Sequence, residues 1–259
     1  MPIATGTAEL RRERDDPDGV TLLVNGVPSS HLDLADPRRL EFEYMQQMAA
    51  VVDGLRPGPL VAVHLGGAGC ALARAIEAAR PGSRQLAVEL DPVLAELVRR
   101  WFDLPRSPAL RIRVGEGRAE LARLPDGSAD AVVRDAFGGD GVPAHLTTRE
   151  LAADAARVLR PGGVYLANCA DRPPLALARA EAATVGDAFA HVAVIAEPGV
   201  LRGRRYGNVV LAGTDDPGLL TSPALARALR TLPVPARLLT GDDATAFAGN
   251  AAVRHDPRP

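Results

Sequence analysis

From about residue 60, short apolar runs alternate with amphipathic helical stretches, and few folds accommodate that order. Leu60–Leu65, Arg84–Leu90, Leu110–Val114, Ala129–Arg134 and Val164–Asn168 read as buried strands. Helical stretches intervene at about 70–79, 91–102, 118–124 and 148–159, and another follows at 175–187. Strands that alternate with helices in this way pair in parallel and need a helical layer on each face. Ligands of such open sheets lie at the carboxyl ends of the strands. Two later runs, Val192–Ala196 and Asn208–Ala212, can pair as a terminal antiparallel hairpin.

Four segments follow from this reading. Residues 1–18 are polar and are expected to form a flexible leader. Residues 19–58 hold a small β-hairpin, Val20–Asn25 and His31–Leu34 around the Asn25-Gly26 turn, and then a helix. Asp36-Pro37 suits the start of that helix, which runs to about Val52 with Leu40, Tyr44, Met48 and Val51 on one face. Residues 59–215 are expected to form the α/β unit, and 216–259 a C-terminal helix and a frayed tail.

Composition excludes several functions. The 259 residues carry a formal net charge of −2, so there is no basic field for nucleic acid. No apolar run reaches the roughly 18 residues of a membrane span, and Met1–Asp18 contains no apolar signal segment. A cytoplasmic protein is the expectation. Cys70 and Cys169 are too few for a disulfide framework or a four-cysteine metal site, and no metal is expected. All 30 basic residues other than histidine are arginine. A chain without lysine can form no Schiff base and no Walker-type phosphate loop.

Four sets of residues fall where strands end. Gly66-Gly67-Ala68-Gly69 follows the first strand, and glycines there allow close approach of a ligand to the backbone. Glu89 ends the second strand, about 20 residues further on, the spacing at which a carboxylate accepts from two ribose hydroxyls. Asp91, before Pro92, is a helix N-cap. A dinucleotide fingerprint would put a small residue at position 72, where this chain has Leu72, and no arginine sits in the turn to meet a pyrophosphate. An adenosine sulfonium compound carries no phosphate and fits the pattern better. Gly115-Glu116-Gly117 ends the third strand, with Glu116 placed to accept from an adenine amino group. Asp135 closes the fourth strand, where a carboxylate needs a cleft or a partner to solvate it, and the glycine-rich 136–145 stretch after it suits a lid.

In this order the motifs resemble those of the spermidine synthase (polyamine aminopropyltransferase) family, over roughly Val20 to Thr214. Leu22-Leu-Val-Asn-Gly26 is similar to the family's N-terminal strand and turn, and Glu41-Phe-Glu-Tyr44 to the segment bearing its active-site tyrosine. Leu65–Gly69 resembles its GGGDG, Val88-Glu-Leu-Asp91 its acidic ribose motif, Gly115-Glu-Gly117 its GDG, and Asp135-Ala-Phe-Gly-Gly the start of its D-S-S-D-P. The resemblance implies a class I methyltransferase-like, AdoMet-binding Rossmann fold. It also implies transfer of an aminopropyl group from decarboxylated S-adenosylmethionine to a small amine, and a homodimer. Asp135 and Tyr44 would act on the amine, while Gly66, Gly67, Gly69, Glu89 and Glu116 would bind the donor. Departures concentrate at the amine end. Ala68 replaces one acid, Gly138 replaces a second unless Asp140 substitutes for it, Ser29 replaces a glutamine, and the second tyrosine has no counterpart before Tyr206-Gly-Asn208. An AdoMet-dependent methyltransferase and a catalytically inactive nucleoside-binding protein therefore stay open as alternatives.

Overall fold

The computed structural model describes residues 1–138 and 141–257, so Asp140 lies outside the described residues. An eight-stranded sheet forms the centre. Its strands are β5 (Val61–Leu65), β6 (Arg84–Glu89), β7 (Leu110–Val114), β8 (Ala129–Arg134), β9 (Leu159–Asp171), β10 (His191–Ala196), β11 (Gly207–Thr214) and β12 (Arg237–Thr240). In space they run β12-β10-β11-β9-β8-β5-β6-β7. The five strands from β7 to β9 are mutually parallel. β11 enters antiparallel between β9 and β10, so the expected hairpin of β10 and β11 forms, and β12 adds an unforeseen edge. All six residues of β8 are buried, as a central strand covered on both faces requires.

The helices alternate with these strands: α1 (Glu43–Asp53), α2 (Ala71–Ala79), α3 (Pro92–Trp101), α4 (Gly117–Ala122), α5 (Arg149–Val158), α6 (Ala176–Ala188), α7 (Pro198–Leu201), α8 (Pro223–Arg230) and α9 (Asp242–Ala248). Apolar side chains pack in two clusters on the two faces of the sheet. One includes Met48, Leu72, Val98 and Ile195; the other includes Leu65, Val132, Leu151 and Val185. No helix among the described residues is long and apolar enough to cross a membrane.

Three boundaries differ from expectation. Residues 1–18 are no loose leader: β1 (Pro2–Ile3), β2 (Gly6–Glu13) and β3 (Asp16–Val24) join β4 (Val27–Asp33) in a four-stranded antiparallel sheet. A long-range tie holds its start. Asp91 Oδ1 caps α3 by accepting from the N–H of Val93 and Leu94, both at 2.9 Å, while Oδ2 accepts from Thr5 N–H at 2.6 Å and Thr5 Oγ1 at 2.9 Å. The helix expected from Asp36 begins only at Glu43. Asp33 accepts from the N–H of Ala35 and Asp36, and Asp36 from that of Arg38, and these local bonds hold turns instead of helix. Finally, the C-terminal tail is fastened rather than frayed. Arg149 N–H donates to Arg254 O at 2.7 Å, and Arg254 N–H to Thr184 Oγ1 at 2.9 Å.

Candidate active site

The order of the parallel strands reverses at β5, which lies between β6 and β8. The turns leaving β5 and β8 diverge there and bound a cleft. Gly66 opens the first turn with φ of +92°, and a Cβ on it would stand 2.4 Å from the Asp135 carbonyl oxygen. The two turns meet backbone to backbone, which only glycine permits. Gly67 is roomier, since a Cβ would rest 3.5 Å from Ala87 Cβ. Gly69 is buried under the N-terminal sheet. Its N–H donates to Ser30 Oγ at 3.0 Å, and a Cβ would meet Leu32 Cδ1 at 2.7 Å.

Glu89 closes β6 half-buried and reaches back to the glycine turn. Its Oε2 accepts from Ala68 N–H and its Oε1 from Asp91 N–H, each at 3.0 Å. Each oxygen keeps acceptor capacity, so the carboxylate can fix the turn and still meet two ribose hydroxyls. Glu116 caps α4, accepting from the N–H of Arg118 at 3.0 Å and of Ala119 at 2.8 Å, and lies 3.0 Å from His145 Nε2. Burial pushes its pKa up, but these two backbone donors and His145 outweigh it and hold the carboxyl below its ordinary value. Sequence reasoning missed two side chains beside these acids. Leu90 and Val114, at the ends of β6 and β7, are 62% and 50% exposed, and their adjacency to Glu89 and to the Gly115 turn was the available signal.

Asp135 and Tyr44 are brought together. Tyr44 donates its hydroxyl to Asp135 Oδ2 at 2.9 Å, and Asn168 Nδ2 donates to Oδ1 at 3.1 Å. Burial raises the Asp135 pKa against the lowering pull of Asn168, Tyr44 and the Arg134 charge. Burial also raises that of Tyr44, reinforced by the neighbouring Asp135 and Glu43. Tyr44 is stacked on Phe42 at 6.0 Å between ring centroids. Glu43 Oε1 accepts from Asn208 Nδ2 at 3.2 Å, which fixes the start of α1 against β11. Asn168, Glu43 and Asn208 were not foreseen; nothing local in the sequence distinguishes an amide that faces a cleft from one at a strand end.

Beneath the glycine turn, Ser29, Ala68, His64, Met45 and Asp135 line a cavity of about 30 Å³. His64 lies 2.9 Å from Gln85 Oε1, and burial lowers its pKa to about 4, so the ring is neutral. A larger open trough of about 710 Å³, between α6 and residues 248–254, is lined by none of the site residues. No group of three or more His, Cys, Asp or Glu among the described residues could hold a metal ion.

The fold is an α/β fold of the class I methyltransferase-like type. No protein-family model matches the chain. A crystal structure of a probable spermidine synthase from Corynebacterium glutamicum is 39% identical with a TM-score of 0.90, and the match covers 97% of this chain and 94% of that one. A curated polyamine aminopropyltransferase of Vibrio vulnificus is 30% identical over 134 residues, 51% of this chain and 44% of that protein. This chain belongs to the spermidine synthase-like, polyamine aminopropyltransferase family. It spans about half the length of the curated relatives it matches. Human methyltransferase-like protein 13, solved in complex with SAH, shares the fold with a TM-score of 0.58 at 24% identity, covering 73% of this chain and 93% of that one.

Proposed function

We propose that this chain binds an adenosine sulfonium donor, decarboxylated S-adenosylmethionine or S-adenosylmethionine, and that from the decarboxylated donor it transfers an aminopropyl group to a small amine. The observation that carries the reading is the Tyr44–Asp135–Asn168 constellation at the end of central β8, packed against the glycine turn. Glu89 holds the ribose hydroxyls and Glu116 the adenine amino group, and Leu90 and Val114 offer apolar surface to the adenine. The donor's sulfonium makes the adjoining methylene carbon electrophilic. Asp135 orients the acceptor amine, whose nitrogen lone pair forms the new C–N bond. The C–S bond breaks with its electron pair going to sulfur, methylthioadenosine leaves, and the amine proton passes to Asp135. A carboxyl whose pKa burial has raised holds that proton better than an exposed one. The reading includes a cytoplasmic location and a homodimer, which sedimentation velocity checks.

A second reading is favoured by one position. Ala68 presents a methyl group where the family has an acid, so nothing there repels the carboxylate of intact S-adenosylmethionine, as a methyltransferase requires. Incubation with each donor and a panel of amines, followed by mass spectrometry, separates the readings. Methylthioadenosine that appears only with an amine, together with the aminopropylated amine, establishes the transferase. S-adenosylhomocysteine assigns the chain to methyl transfer. If neither nucleoside forms while a donor still raises Tm, the chain binds nucleoside without catalysis.

A further inference from the structure

Arg134 directly precedes Asp135 and is wholly buried, with 0% exposure, in the central strand of the sheet. A cation at such a position is costly unless it is paired and hydrogen-bonded. Its guanidinium pairs with Glu181 of α6, which is 5% exposed, and donates through Nη1 to the carbonyl oxygen of Asn168 at 2.7 Å. Asn168, 1% exposed, turns its own side chain to Asp135 Oδ1. A continuous buried chain of contacts thus runs from α6 through β8 and β9 to the cleft and ends at Tyr44. Structural needs alone do not call for it. The three preceding strand positions, Ala131, Val132 and Val133, are apolar, and a methyl-bearing residue at 134 would fill the same layer without any ionic partner.

We propose that the Glu181–Arg134 pair is a positioning device for Asp135: it clamps β9 at Asn168 and so fixes the amide that holds the carboxylate. The inference rests on the transfer reading for its kinetic consequence, but its geometric consequence is independent of that reading. Charged and titratable groups around Asp135 are Tyr44 and Glu43 on α1, His64 on β5 and Arg134 on its own strand, with the Asn168 amide on β9. Of these, Arg134 supplies the positive charge and Asn168 a hydrogen bond that the pair keeps in place.

The test replaces the pair as a unit, Arg134→Met with Glu181→Leu, so that no unpaired buried charge is left to unfold the chain. Arg134→Lys, which keeps the charge but not the fork, is the conservative control. Carboxyl NMR on aspartate-labelled full chain follows the Asp135 titration, assigned with Asp135→Asn. The double variant is expected to raise the Asp135 midpoint, and Arg134→Lys to restore part of the shift. Methylthioadenosine affinity should stay within about twofold, because Glu89 and Glu116 stand on other strands. Where the wild type transfers an aminopropyl group, kcat is expected to fall between about tenfold and a hundredfold, the cost of a misplacement of about 1 Å. A folded double variant with an unchanged Asp135 midpoint overturns the proposal, whatever its activity. A wild type that produces no transfer overturns the transferase reading alone, since the titration still reports on the clamp.

Discussion

Burial makes the Asp135 carboxyl expensive to ionise, and folding therefore raises its pKa above the ordinary 3.8. The sign of the linkage follows. Below about 3.8 the carboxyl is neutral folded or unfolded, and it takes nothing from stability. As pH rises through the raised value the folded state must ionise a buried group, and stability is lost until both states are ionised. Asp135→Asn removes the titration. Its Tm relative to wild type is expected to climb as pH rises above about 4 and to level off once the folded carboxyl has ionised, while transfer falls by about 10²–10⁴, the usual worth of a proton-accepting side chain. A Tm difference that does not vary with pH would show that Asp135 ionises in the fold as easily as in the unfolded chain. Only part of this site was legible in the sequence. A carboxylate closing a buried strand announces itself, and Tyr44 was reachable through the Glu41-Phe-Glu-Tyr44 resemblance. Asn168 and Arg134 were not, because their partners are set by strand register and by a helix that begins eight residues after Asn168, at Ala176.

At the scale of elements, local signals performed well wherever the chain's own neighbours decide the structure. Asp91-Pro92 forecast the start of α3, and the cap is present with both backbone donors in place. The same residue shows where local reading stops. Asp91 also holds Thr5, 86 positions earlier, and that bond helps turn a polar stretch into strands. Likewise Asp36-Pro37 looked like a helix start, yet Asp33 and Arg39 close turns there that a window of neighbours weighs too lightly. Asp91→Ala is expected to cost about 2–4 kcal/mol, combining a lost cap with lost charge-assisted bonds to Thr5. Asp91→Asn, which can still cap α3, should cost less than half of that. Urea melts give the totals, and amide hydrogen exchange locates them: β1 and β2 should lose protection before the central sheet does. If both regions lose protection equally, the tie to Thr5 has no separate role and the cap carries the effect.

For the molecule as a whole, several contacts across long sequence distances gather at the rim of the cleft. Arg118, two residues after Glu116, donates from Nη1 to Asp256 Oδ1 at 2.6 Å and from Nη2 to Oδ2 at 2.5 Å, across 138 positions. The same guanidinium reaches the carbonyl oxygen of His145 at 3.3 Å, and His145 contacts Glu116. Asp256 is held in turn by Glu150, whose Oε2 accepts its N–H at 3.0 Å. The fastened tail therefore braces the Glu116 end of the cleft, while the N-terminal sheet braces the glycine turn through Ser30 and Leu32. The two ends of the chain stabilise the two ends of one site. The consequence is specific to binding. Asp256→Ala removes a partly exposed bidentate pair worth about 0.5–1 kcal/mol. If the brace acts on Glu116, calorimetry with methylthioadenosine should show Kd rising roughly two- to fivefold, with the Asp135 titration unmoved because that group stands on the far side of β5. A Kd unchanged within error, accompanied by a lower Tm, would confine the tail to stability and leave Glu116 held by its own helix cap.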